Sequence, residues 1–120
     1  MNDSISELGS GQTLDVALTA LTSERRRHVI RCLSESRTPT SLADLSTEIA
    51  AREFDAASGE PSPEAVKRVH LTLYHAHVPA LEDANLLDYD AERESVALSK
   101  RGTRAKRLIA ALEANFPDVV

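Results

Sequence analysis

The chain has no tryptophan, two tyrosines, two phenylalanines and one cysteine among its 120 residues. With so few aromatic rings, a core must be built from Leu, Val, Ile and Ala, which suits helices. The single Cys32 excludes an internal disulfide and has no partner cysteine for a redox or metal role. It reads instead as a small buried hydrophobe on a helix. No stretch approaches the ~20 apolar residues that span a bilayer. The start, Met1 to Glu7, lacks the basic and apolar regions of a signal peptide. A cytoplasmic protein without membrane contact is expected. Also missing are a phosphate-cradling Gly-rich loop, a Cys–His pair at useful spacing and a G-x-S-x-G elbow. Carboxylates are plentiful but scattered as surface solvation would place them. No enzyme activity, no catalytic residue and no cofactor is expected.

What is present is charge, unevenly spread. The net charge is −5. Residues 1–99 carry 9 basic and 17 acidic side chains, whereas residues 100–120 carry 5 basic and 2 acidic ones. Arginine outnumbers lysine 11 to 3. Few Lys, many Asp and Glu, and abundant Ala and Thr fit a protein from a salt-loving archaeon, where an acidic surface keeps the chain hydrated. The alternative is an ordinary acidic protein. Either way the balance is unusual for a binder of nucleic acid. The strongly basic run is Lys100-Arg101-Gly102-Thr103-Arg104-Ala105-Lys106-Arg107.

Periodicity divides the chain into residues 1–12, a loose arm; 13–99, one domain; and 100–120, a basic, amphipathic helix. Thr13 is a plausible cap for a first helix with Leu14, Leu18 and Leu21 on one side. Ser23, followed by Glu24, caps a second helix with a Val29, Ile30, Leu33 stripe. The Thr-rich stretch Arg37-Thr38-Pro39-Thr40 allows a short strand. Ser41 or Thr40 then caps a third helix that buries Leu42, Leu45 and Ile49. Glu53 to Pro63 reads as an inserted loop ending in a Ser62-Pro63 helix start. The fourth helix runs to about Ala84. Its predicted apolar side holds Val66, Val69, Leu73, Ala80 and Leu81, extended by Leu71, Tyr74 and Val78. Pro79 predicts a kink or break near His77-Val78. Leu86–Asp90 and Ser95–Leu98 read as a β-hairpin. Thr103 to Asn115 reads as a last helix, ended by Pro117, with Leu108, Ile109 and Leu112 on one face.

Two segments carry a family likeness. Leu18 to Leu33, with its Ser23-Glu24-Arg25-Arg26-Arg27 centre, resembles the opening of ArsR-type winged-helix repressors. Leu81-Glu82-Asp83-Ala84-Asn85-Leu86-Leu87 resembles the end of their recognition helix, where it runs into the wing. The helix segment Lys67-Arg68-Val69-His70-Leu71-Thr72-Leu73-Tyr74-His75-Ala76-His77-Val78-Pro79-Ala80-Leu81 is similar to a group of haloarchaeal winged-helix domains whose function is inferred from fold. The resemblance covers about residues 14–98. It implies a mainly α winged helix-turn-helix with a small β-hairpin wing, followed by a C-terminal helix. It also implies a transcription regulator that binds double-stranded DNA as a homodimer.

Within that reading, Lys67, Arg68, Thr72 and His75 lie on the polar stripe of the recognition helix and are the candidates for base edges. Arg93, at the wing tip, is a candidate for a minor-groove or phosphate contact. Lys100, Arg101 and Arg104 are candidates for the phosphate backbone. Glu64 and Glu82 on the same helix would repel phosphate. The alternative is a winged-helix module that keeps the fold but binds protein, in a signalling or transcription complex. Arg25, Arg26, Arg27 and Arg31 have two readings: phosphate contacts, or structural arginines that ion-pair and pack their stems. Metal sensing is not expected. His70, His75 and His77 are separated by five, two and seven positions, never the three or four that place two ligands on one helix face. His70 and His77 read as core or subunit-contact histidines donating to backbone carbonyls, and His75 as exposed.

Overall fold

The computed structural model describes residues 11–36, 38–54 and 59–115. The chain runs α1 (Gly11–Ala20), α2 (Glu24–Ser34), β1 (Thr40–Ser41), α3 (Leu42–Glu53) and α4 (Pro63–Thr72). A π-helical turn (Leu73–His77) then leads into α5 (Val78–Asp83), β2 (Leu87–Asp90), β3 (Ser95–Leu98) and α6 (Lys100–Asn115). The molecule is thus mainly helical with one small antiparallel sheet of order β1-β3-β2. The predicted arm lies outside the described residues up to residue 10, as does the helix stop at Pro117.

Hydroxyls start the three central helices as the sequence predicts. Ser23 Oγ accepts from Arg26 N at 3.3 Å, Ser41 Oγ from Asp44 N at 3.0 Å and Ser62 Oγ from Ala65 N at 3.1 Å. Each satisfies one of the orphan N–H groups of a first turn. Pro63 occupies the first turn of α4, where no donor is needed.

Of the stretch 37–40 expected to hold a short strand, only Thr40 is in β1, which pairs Thr40 with Val96 and Ser41 with Ser95; Arg37 lies outside the described residues. The hairpin pairs Leu87 with Leu98 and Asp90 with Ser95. Its turn is closed by Asp90 Oδ1, which accepts from Glu92 N and Arg93 N. Leu42 N donates to Glu94 O at 2.8 Å, so the turn also anchors the start of α3. Ile30, Leu42, Leu45, Ile49, Leu73, Leu81, Leu87 and Val96 are fully buried and join α2, α3, the long helix and the sheet in one core.

Three expectations are corrected. The first helix includes Gly11 and Gln12, ahead of the expected start at Thr13, and Leu14 and Leu18 are exposed; Leu21, beyond its end, is buried. One short helix meets the core only near its C-terminal end. Leu71 and Tyr74 are each 48% exposed rather than on the apolar side. At 100° per residue Leu71 lies about 160° from Leu73, opposite the buried stripe. The last helix begins at Lys100, with Gly102 buried inside it. Of its predicted apolar face, Ile109 is in the core while Leu108 and Leu112 remain exposed.

The break expected near His77-Val78 takes the form of a π turn: the α-helix is interrupted over Leu73–His77 and resumes from Val78 to Asp83. Val78 N donates to Leu73 O, five residues back. The wider turn absorbs one extra residue just before a ring that an ordinary helix cannot accept.

Candidate nucleic-acid interface

The long helix and the hairpin are fastened at one corner. At the end of α5, Asn85 has φ 61°, Asn85 N donates to Glu82 O and Leu86 N to Leu81 O, both at 2.9 Å. This is a Schellman stop, with Asn tolerating the left-handed conformation that usually selects Gly. It turns the chain directly into β2. The free edge of β2 is partly closed by Glu82, whose Oε2 accepts from Tyr89 N at 3.3 Å. Tyr74 and Tyr89 then meet edge to face, with centroids 6.4 Å apart, and Tyr74 meets His75 at 4.9 Å. The outer side of the helix and the hairpin therefore form one continuous surface.

Lys67, Arg68, Thr72 and His75 are all exposed on this surface. Thr72 is nevertheless committed. Its hydroxyl accepts from Arg25 Nη1 at 3.1 Å and donates to Arg68 O at 2.6 Å. That leaves Lys67, Arg68 and His75 as outward groups on the helix. Arg93 stands at the hairpin turn with its side chain 83% exposed, 3.9 Å from Asp90. Lys100, Arg101 and Arg104 are not brought to it. They follow β3 at the Leu87–Leu98 end of the hairpin, whereas Arg93 lies beyond the Asp90–Ser95 end. A four-residue strand puts about 10 Å between those ends.

The sequence places Leu71 and Tyr74 on the apolar side and Tyr89 only in the hairpin, where its half-buried ring packs against the core and meets Tyr74. The helical angle of Leu71 was the available signal. Acidic groups surround the aromatic pair. The Tyr89 phenol is pushed up from its ordinary value, first by loss of water and then by Tyr74, Glu94, Asp90 and Glu82. The surface thus has a basic end at Lys67 and Arg68, an apolar middle and an acidic end.

The arginine run of α2 takes its structural reading. Arg25 Nε and Nη2 each donate to Glu53 at 2.6 Å, tying α2 to α3 while Nη1 reaches α4. Arg26 Nε donates to His77 Nδ1 at 3.0 Å. Arg27 Nη1 donates to Leu21 O at 2.7 Å, and Arg31 pairs with Glu113 of α6. One helix therefore reaches the turn after α1, α3, α4, the π turn and α6 with charged side chains. Burial, then Arg26 and Arg25, hold the His77 imidazole below its ordinary value. Its Nδ1 accepts the hydrogen bond from Arg26, so the partner shown is an arginine side chain where the sequence suggested a backbone carbonyl. Cys32 is buried as expected, and burial pushes its thiol up to about 12. Among the described residues no group of three His, Cys, Asp or Glu side chains is placed to hold a metal ion.

The Arg25–Glu53 pair gives a testable pH signature. The Glu53 carboxyl is held below its ordinary value, chiefly by the hydrogen bond from Arg25. A carboxyl with a depressed folded pKa contributes stability above its unfolded pKa and loses it as pH falls through the folded one. Arg25→Met is expected to cost about 1–2 kcal/mol at neutral pH, since both groups are partly exposed. Urea unfolding should show the two stability curves converging as pH falls below the ordinary carboxylate range. A gap independent of pH would assign the loss to packing of the arginine stem.

A family profile described as "Domain of unknown function (DUF7344)" matches residues 18–97, and the chain belongs to that family. The matched span runs from the end of α1 into β3 and leaves α6 outside. Neither the curated proteins nor the solved structures contain a match to the chain.

Proposed function

We propose that the chain is a winged helix-turn-helix regulator of transcription that binds double-stranded DNA as a homodimer. The observation that carries this reading is topological. Helix, strand, helix, helix and hairpin follow in order, and the first strand pairs with the second strand of the hairpin. That arrangement is the one the resemblance implies. It sets the outer side of α4 and the hairpin turn on one surface. In such a complex α4 lies in the major groove, Lys67, Arg68 and His75 approach bases or phosphates, and Arg93 follows the adjacent backbone. Thr72 positions the helix through Arg25 and reads nothing. Lys100, Arg101 and Arg104 add charge at the base of the hairpin, at the end away from Arg93. Exposed Leu108 and Leu112 of α6 are the proposed subunit contact.

The test is chromatin immunoprecipitation of the tagged protein beside an Arg68→Ala/His75→Ala variant. Sharp peaks sharing a palindromic motif and lost in the variant are expected. On the recovered site each substitution should weaken binding about tenfold or more. A flat profile at normal expression would overturn the reading. A second reading, docking to another protein, is favoured by the half-exposed Leu71 and Tyr74 on the same surface. It predicts a stable protein complex and no genomic footprint.

A further inference from the structure

The outer surface of the long helix is self-complementary. Lys67 lies seven residues before Tyr74, and Glu82 lies seven residues after His75. All four side chains are exposed. Leu71 and Pro79, also exposed, lie between the centre and the two ends. The pattern along the helix is basic, apolar, aromatic, apolar, acidic. A two-fold axis requires each feature to meet its complement when one copy is turned end for end. This surface meets that condition: Lys67 faces an acid, Leu71 stands within one residue of the partner's Pro79 ring, and Tyr74 faces the partner's His75.

We propose that this surface closes on a second copy of the chain, with the long helices antiparallel, Tyr74 and His75 at the axis and Lys67 against the partner's Glu82. A second copy fits better than an unrelated partner because both charges and their apolar spacer are supplied by the one surface, at equal distances from its centre. At 1.5 Å per residue each charge stands about 11 Å from the axis. Tyr74 and Leu71 supply the desolvated centre and the ion pairs supply register. Carboxylates Asp90 and Glu94 beside Tyr89 extend the acidic end toward the partner's Arg68. The proposal does not rest on the DNA reading. If α4 also enters a groove, the dimer hides Lys67, Arg68 and His75, and the two uses exclude each other.

The experiment is sedimentation velocity of the full chain without DNA, in a Leu108→Glu/Leu112→Glu background so that α6 contributes no association. Lys67→Glu and Glu82→Lys, each alone, place like charges across the axis twice and are expected to weaken association about tenfold at low salt. Mixing the two variants pairs opposite charges at both ends and is expected to restore it. Tyr74→Ser is expected to weaken association at low salt and in molar KCl alike. Glu82 also accepts from Tyr89 N, so melting checks each fold. Should Glu82→Lys unfold, Lys67→Glu and Tyr74→Ser decide. A monomeric parent at millimolar concentration, variants that associate like the parent, or a folded mixture no better than its components would each overturn the proposal. Because no DNA is present, none of these results bears on whether α4 reads bases.

Discussion

Gly102→Ala is expected to destabilise the protein by about 3 kcal/mol and to lower its melting midpoint by roughly 12 °C. In most exposed helices the same change is favourable, by about 1 kcal/mol. Here the sign reverses because α6 lies directly on the end of the long helix. A Cβ at position 102 would stand 1.9 Å from the Leu86 carbonyl oxygen and 2.9 Å from Leu98 Cδ2. The carbonyl cannot yield freely. Leu86 O accepts from Ser99 N at 3.2 Å, Asn85 O accepts from Ser99 Oγ at 2.6 Å, and Leu86 N is committed to Leu81 O. Moving the oxygen loosens the Schellman stop, and moving α6 loosens Ile109 from the core. Thermal and urea unfolding measure the effect. A midpoint equal to or above that of the parent would mean that α6 does not approach this closely. Amide exchange should locate the damage at Leu86 to Ser99, the hairpin and its base, before α3.

The parts of the fold that could be read from the sequence are those set by local chemistry. Ser23, Ser41 and Ser62 each begin a helix because a side-chain oxygen followed by a free N–H three residues on is a local arrangement. Val29, Ile30, Leu33, Leu42, Leu45 and Ile49 are buried where their periods place them. The short strand at Thr40 is found because its composition and position permit little else. What escaped was long-range. Nothing local says that Arg25 reaches Glu53 and Thr72, 28 and 47 positions away. Thr72 looks like a free polar group on an exposed stripe until α2 is folded against it. The basic run after Lys100 is conspicuous in one dimension, and only the antiparallel hairpin reveals that it sits at the end away from Arg93. The contact of the half-buried Tyr89 with Tyr74 becomes visible only once Tyr74 is turned outward to meet it.

Deleting Ala76 tests why the long helix contains a π turn. A π turn is an α-helix with one extra residue, so removing the exposed Ala76 returns an ordinary helix and leaves both flanking faces in register. Val69 and Leu73 before it, and Val78 and Leu81 after it, keep their places in the core. Only Pro79 changes circumstance. Its ring then faces the carbonyl four residues back, now that of Tyr74, in a helix of normal width. The deletion is therefore expected to cost about 3 kcal/mol by urea unfolding. Combining it with Pro79→Ala removes the clash and supplies the missing N–H, and should return stability to within about 1 kcal/mol of the parent. Pro79→Ala alone should change little, because the wide turn already accommodates the ring. A deletion as stable as the parent would show that Pro79 does not require the turn. Equal losses in the single deletion and the double variant would place the cost in Tyr74 and His75, whose outward positions the turn would then be holding. The two results separate a device that tolerates a proline from one that shapes the exposed surface.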